Sequence, residues 1–273
     1  MPSLLAQLQD LIYPGCCALC QRYAGPTQTL CGRCLKRCRF IDAACLRCGG
    51  PIKLTGEDLP HAVRKCVHCS RGKWPADRIA CLATYEAAVR QAVIRMKQPG
   101  SESLLRFFAD RLVDWSTERL PWTAIDLVMP VPQHWSKRLW VRHNASEVLA
   151  QLVADRCRKP LSGRQLIRLR KAGKQGLLLR PDRAKNVEGA YAVRPNSRLH
   201  GKHVLVVDDI VTTGATAEAI ALPLKAAGAA GIYFLAVARG VNSAAKAVGK
   251  PPAVDRVQKP DQSEYLPARS SSE

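Results

Sequence analysis

Apolar positions along this chain follow two regimes. The first 78 residues carry few large apolar side chains and repeat cysteine-centred turns, whereas from Ile79 onward short continuous apolar runs alternate with stretches of helical period. Val204, Leu205, Val206 and Val207 form a continuously apolar, largely β-branched run, the pattern of a strand buried on both faces of a parallel sheet. Residues 79–84 and 126–132 predict two further short strands, 166–170 another, and 232–237 the last. Between them, residues 85–97 predict a helix, Gln98, Pro99 and Gly100 a break, and the residues to about 120 a second, amphipathic helix. A basic turn carrying Trp135 and Trp140 spans 134–143, and helices are predicted over about 144–156 and from Ala215 to a stop at Gly228. Strands alternating with helices imply an α/β fold with a doubly wound parallel sheet, which binds ligands at the carboxyl ends of its strands. Beyond Arg239 the chain turns to Ala, Gly, Pro, Ser and charges and lacks the apolar residues to pack. The predicted organisation is a small head over 1–78, an α/β body over 79–240 and a disordered tail over 241–273.

The densest chemistry lies where the 204–207 run ends. Asp208 and Asp209 stand at the carboxyl end of that strand, and Thr212, Thr213, Gly214, Ala215 and Thr216 make a hydroxyl-rich turn into the next helix. Unpaired backbone N–H groups gather at a helix N-terminus, and with the positive end of the helix dipole they form a phosphate cradle to which Thr hydroxyls add donors. Two adjacent carboxylates would repel that phosphate unless a ribose diol and a divalent cation lie between them. The segment therefore suggests a sugar-phosphate site. A plain strand, capped turn and Ala-rich helix is the alternative.

The cysteines define the head. Eight of the twelve form four CxxC knuckles, Cys17/Cys20, Cys31/Cys34, Cys45/Cys48 and Cys66/Cys69. Each knuckle aims two thiolates at one ion about 2.3 Å away, and two knuckles complete a tetrahedral Cys₄ site. Sequential pairing predicts two structural Zn²⁺ sites in a zinc-ribbon head, with metal supplying stability that a small core lacks. A redox dithiol and disulfides are the alternatives, as are Cys16 in place of Cys17 and His68 as a ligand.

Charge changes the picture again. The formal net charge is +20, and Lys plus Arg outnumber Asp plus Glu by 12 to 5 in residues 1–80, 22 to 10 in 81–200 and 8 to 7 in 201–273. Ten basic residues against one acid lie between Arg158 and Lys185, a density that attracts nucleic acid or polyphosphate when it is more than a solvated surface. No apolar run approaches the roughly 20 residues of a membrane span, and the N-terminus lacks a basic start and an apolar core. A cytoplasmic protein without membrane insertion is expected.

Four knuckles joined to such a body resemble the ComF competence-protein family and its gluconate-utilisation GntX relatives, over about residues 13–239. Residues 204–216 resemble the phosphoribosyl-pyrophosphate (PRPP) motif of type I phosphoribosyltransferases. Val128, Met129, Pro130, Val131, Pro132, Gln133 and His134 resemble the family's Val-Pro-Val-Pro segment near the pyrophosphate, and residues 185–193 resemble the stretch after its flexible loop, where Gln175 fits a family Gln. The resemblance implies a type I phosphoribosyltransferase-like body binding PRPP with Mg²⁺. Asp208 and Asp209 would act on the ribose as catalytic and binding residues, with Thr212, Thr213, Gly214, Ala215 and Thr216 on the 5′-phosphate. Lys171, Lys174 or Arg183 could close over the leaving group. It further implies a cytoplasmic role in natural transformation, handling single-stranded DNA beside protein partners of the uptake machinery, with Trp135, Trp140 or Tyr191 for base stacking. An active transferase acting on an unidentified base is the second reading.

Overall fold

The computed structural model describes residues 15–52, 66, 76–133, 144–169 and 189–240. In chain order its elements are helix α1 (Gly32–Lys36), strand β1 (Arg78–Thr84), helices α2 (Ala87–Met96) and α3 (Glu102–Ser116), strand β2 (Leu127–Pro130), helix α4 (Ala145–Cys157), strands β3 (Leu166–Arg168), β4 (Tyr191–Val193) and β5 (His203–Val211), helix α5 (Ala215–Ala226) and strand β6 (Gly231–Arg239).

β1, β6, β5 and β2 lie side by side in that order, every neighbouring pair parallel. The central strands are the most apolar because both of their faces are covered: all nine residues of β6 and Val204 to Val207 of β5 are buried. Side chains alternate between faces. Leu205, Val207, Leu235 and Val237 enter one core with α2, α3 and α4, while Val204, Val206, Ile232, Phe234 and Ala236 enter the other with α5. Helices on both faces make the sheet doubly wound. In α3 the stripe Leu104, Leu105, Phe108, Ala109 and Leu112 faces the sheet, each large side chain contributing about 1.5–3 kcal/mol on full burial.

One predicted strand belongs elsewhere. Leu166–Arg168 does not join the parallel series but pairs antiparallel with Tyr191–Val193 in a separate two-stranded sheet. Both segments bury only their first residue, and neither has the two-sided apolar character that a central parallel strand needs. Their buried residues Leu166 and Tyr191 pack in the same core as α5. The second predicted helix also stops at Ser116 rather than near 120, and a turn carries the chain on.

The head covers the free edge of β1. Phe40 pairs antiparallel with Ala83, Ile41 N donates to Leu82 O (2.9 Å), Thr84 N to Arg39 O (2.9 Å) and Ile79 N to Leu46 O (3.0 Å). Trp115 Nε1 reaches back from α3 to Ile41 O at 2.9 Å. Such pairing removes an exposed row of backbone donors and acceptors, and Cys17, Leu30, Cys34 and Cys38 bury against the α2–α4 core. The described residues all fall within one compact unit. The predicted tail lies outside the described residues.

Candidate functional site

β2 pairs with β5 only as far as Val207 while β6 stays paired to Val211, so one edge of β5 is open from that point onward, and there the apolar run stops at Asp208. Its Oδ1 accepts from its neighbour's backbone, Asp209 N, at 2.8 Å and from Ser146 Oγ, in the first turn of α4, at 3.0 Å. Burial and the adjacent Asp209 carboxylate push the Asp208 carboxyl up to about 7 against those two hydrogen bonds. Asp209 points the other way along the alternating strand. Its Oδ2 lies 2.6 Å from Lys97 Nζ, just past the end of α2, and its side chain is 12% exposed against 52% for the lysine. Burial works against the Lys97 ammonium, yet the carboxylates of Asp209 and Asp208 lift it above the ordinary lysine value.

The turn that follows has the conformation a helix-end anion site requires. Gly214 is the N-cap of α5, left-handed at φ 88°, where any side chain would be strained. No side chain caps the helix from that position. Thr213 Oγ1 accepts from Ala215 N at 3.3 Å, and Glu218 N closes the first helical turn onto Gly214 O at 2.8 Å. A recess opens beside this turn, lined by Asp208, Ile210, Val211, Thr212, Gly214, Thr216, Ala217 and Phe234. Four of the seven predicted residues, Asp208, Thr212, Gly214 and Thr216, thus share one concavity. Thr213 and Ala215 shape the turn behind it, and Asp209 is held to one side by Lys97.

Sequence reasoning missed the residues that arrive from distant elements. Lys97 and Ser146 neutralise and orient the acidic pair. Asn144 caps α4, its Oδ1 accepting from Ser146 N at 3.2 Å and from Gln133 Nε2 at 3.0 Å, while its buried Nδ2 has no hydrogen-bond partner among the described residues. Arg239, 2% exposed at the end of β6, donates from Nη1 to the carbonyls of Val211 and Thr212 behind the turn. An Asn preceding a predicted helix is a readable capping signal. Nothing local marks Lys97 or Arg239.

The cysteines converge as their spacing requires. The sulfurs of Cys17, Cys20, Cys31 and Cys34 lie within 4.8 Å of one another, as do those of Cys45, Cys48 and Cys66. Cys20 and Cys31 sulfurs are 3.7 Å apart, and so are those of Cys48 and Cys66. Zn–S bonds of about 2.3 Å in a tetrahedron put sulfurs about 3.8 Å apart, so both groups fit zinc. Burial and neighbouring sulfurs push the Cys34 thiol up, and the Cys45 sulfur and burial push up Cys48, so both favour the neutral thiol unless a cation joins the group. Cys17, not Cys16, belongs to the first group, and none of the described cysteines is in a disulfide. Cys69 and His68 lie outside the described residues. Cys38 and Cys81 are buried thiols pushed up to about 11 and about 12 by burial, the environment of inert rather than reactive cysteines.

Lys171, Lys174, Gln175, Arg183, Trp135 and Trp140 also lie outside the described residues, and only the start of the basic stretch is described, with Arg158 and Arg164 exposed. Tyr191 is unavailable for stacking on bases: it is 5% exposed, with the Arg168 guanidinium 5.4 Å from its ring centre. Among the described residues no helix is long and apolar enough to cross a membrane.

No protein-family model matches the chain. It is 26% identical over 234 residues to DNA utilization protein YhgH of Escherichia coli strain K12, an alignment covering 84% of this chain and 99% of that protein, and the protein of the same name from Salmonella typhimurium strain LT2 matches equally. Among solved structures, the B. subtilis glutamine PRPP amidotransferase complexed with ADP and GMP aligns at 22% identity and a TM-score of 0.33 over 48% of this chain and 25% of its own. The purine phosphoribosyltransferase from Pyrococcus horikoshii Ot3 aligns at 19% identity and a TM-score of 0.28 over 49% of this chain and 83% of its own.

Proposed function

We propose that the β5–α5 turn binds a phosphoribosyl ligand, PRPP with Mg²⁺, and that the chain serves DNA uptake in the cytoplasm by handling incoming single strands. The observation that carries the ligand half is the recess in which Asp208 meets Thr212, Gly214 and Thr216 at the start of a helix. In this reading the N-terminal amides of α5 receive the 5′-phosphate, and the side-chain-free Gly214 lets the backbone approach it. Thr212 and Thr216 donate hydroxyl hydrogen bonds. Asp208 accepts from the ribose hydroxyls once it is ionised, held in place by Ser146. Asp209 is paired with Lys97, so an entering polyanion meets one uncompensated carboxylate rather than two. When bound, Mg²⁺ supplies positive charge to the pyrophosphate oxygens.

The DNA half draws on the relation to YhgH and on the +20 formal charge. Two zinc-loaded cysteine groups would brace the head, and the reducing cytoplasm would keep their thiols free for metal. Protein partners from the uptake machinery belong to the same reading. Binding to a single-stranded oligonucleotide should weaken steeply with salt, log K falling by about 0.7 per neutralised phosphate on the log salt axis. A response with no salt dependence contradicts a phosphate-tracking surface.

Transferase activity is the second reading, favoured by the acidic doublet at the strand end, where both carboxylates can favour positive charge on a departing ribosyl group. Pyrophosphate release from Mg²⁺-PRPP across the common nucleobases separates the two readings.

A further inference from the structure

We infer that Arg239 is a positioning residue through which the second cysteine group and the phosphoribosyl turn act on each other, so that Zn²⁺ at the first and a phosphoribosyl ligand at the second bind cooperatively. The inference rests on the reading of both sites given above. Its basis is one buried guanidinium shared between them. From the last position of β6, Arg239 Nε donates to Cys48 O at 2.9 Å, and Nη1 donates to Val211 O at 3.1 Å, to Thr212 O and to Gly240 O at 3.0 Å. Cys48 carries one of the sulfurs of the second group, and Thr212 lines the recess.

A guanidinium has five N–H donors fixed in one plane, so the carbonyls it serves are held in a fixed relation to one another. At 2% exposure it cannot exchange them for water without cost, because a buried charge that loses its hydrogen bonds is strongly destabilising. Both ends of this bridge are also closely packed. On the turn side, Gly240 N donates to Val211 O at 2.8 Å, and a Cβ at Gly240 would lie 3.2 Å from Thr212 Cα. On the knuckle side, Gly49 is left-handed at φ 67° and so close to β1 that a Cβ there would lie 2.7 Å from Cys81 Sγ. Metal held by Cys45, Cys48 and Cys66 fixes the carbonyl of Cys48, which fixes Arg239, which fixes the carbonyls of Val211 and Thr212 and hence the direction of the turn. A ligand that orders the turn must, by linkage, tighten the metal by the same factor.

The test uses full-length protein loaded with two equivalents of Zn²⁺. Zinc release to a competing chromogenic chelator is measured at equilibrium with and without saturating ribose 5-phosphate, and calorimetry reports ligand binding separately. The expected result is that one equivalent is held about five-fold or more tightly with ligand present, that the other is unaffected, and that Arg239→Gln binds two zincs and the ligand yet shows no ligand effect on release. Bound ligand with unchanged release of both zincs in the wild type overturns the coupling while leaving the turn as a ligand site. Absence of ribose 5-phosphate binding overturns the reading of the turn and the coupling with it. A ligand effect that survives Arg239→Gln overturns the role of Arg239. Should that variant not fold, the wild-type comparison decides whether coupling exists, and Arg239→Lys, which keeps one cation but loses the fork, decides its route.

Discussion

Asp208 sits where its charge is costly and where a ligand hydroxyl would reward it. Its carboxyl is raised to about 7 from an ordinary value of 3.8, so the folded protein holds a proton that the unfolded chain releases. A raised folded-state value gives stability that is complete below about pH 4 and is lost as pH climbs through about 7. Asp208→Asn should therefore melt a few degrees above the wild type at pH 8, with the difference shrinking towards pH 4. A constant gap across that range would show that Asp208 is not the titrating group. Residues 208–216 were legible because the whole constellation is contiguous, a strand end, a glycine and a helix start in nine residues. Its supports were not: Ser146 is 62 residues from Asp208, and Arg239 is 191 from Cys48. Contacts of that span depend on which strands neighbour one another, which the local pattern does not state.

Strands and helices were legible where burial is two-sided or periodic. The 204–207 run and the 232–237 run are the two central strands, and the helix from Ala215 continues through Pro223 to Ala226. The antiparallel β3–β4 pair was not legible as such, because half-buried three-residue strands carry too little pattern to distinguish an antiparallel pair from a parallel one. The docking of the head on β1 was equally hidden, since its hydrogen bonds are main-chain ones. Gly49 is the residue on which that docking depends most sharply. Gly49→Ala places a Cβ against Cys81 Sγ on a left-handed backbone and should cost about 1–3 kcal/mol, read as a lower urea midpoint with an unchanged slope. An unchanged midpoint would mean that the knuckle does not bear on the sheet edge.

At the scale of the molecule, head and body are not independent, because the cysteine turns supply hydrogen bonds to β1 and side chains to the α2–α4 core. Removing metal with a strong chelator should thus destabilise the whole described unit in one transition. A loss of about 3–5 kcal/mol lowers Tm by roughly 10 °C, at about 2–4 °C per kcal/mol. A body that melts unchanged after zinc is stripped would contradict this. The knuckle spacing made the cysteine groups legible in the sequence, and the shared edge made their structural consequence visible only in the fold. The central claim is that Asp208, with Asp209 held beside it by Lys97, and the turn that follows grip a phosphorylated ribose. Calorimetry of zinc-loaded full-length protein with Mg²⁺-PRPP tests it most directly, with wild type beside the double variant Asp208→Asn, Asp209→Asn. The account predicts saturable binding by the wild type and a loss of about 100-fold or more in the variant, roughly two charge-assisted hydrogen bonds, with zinc content unchanged. Equal affinity in the two proteins would contradict it.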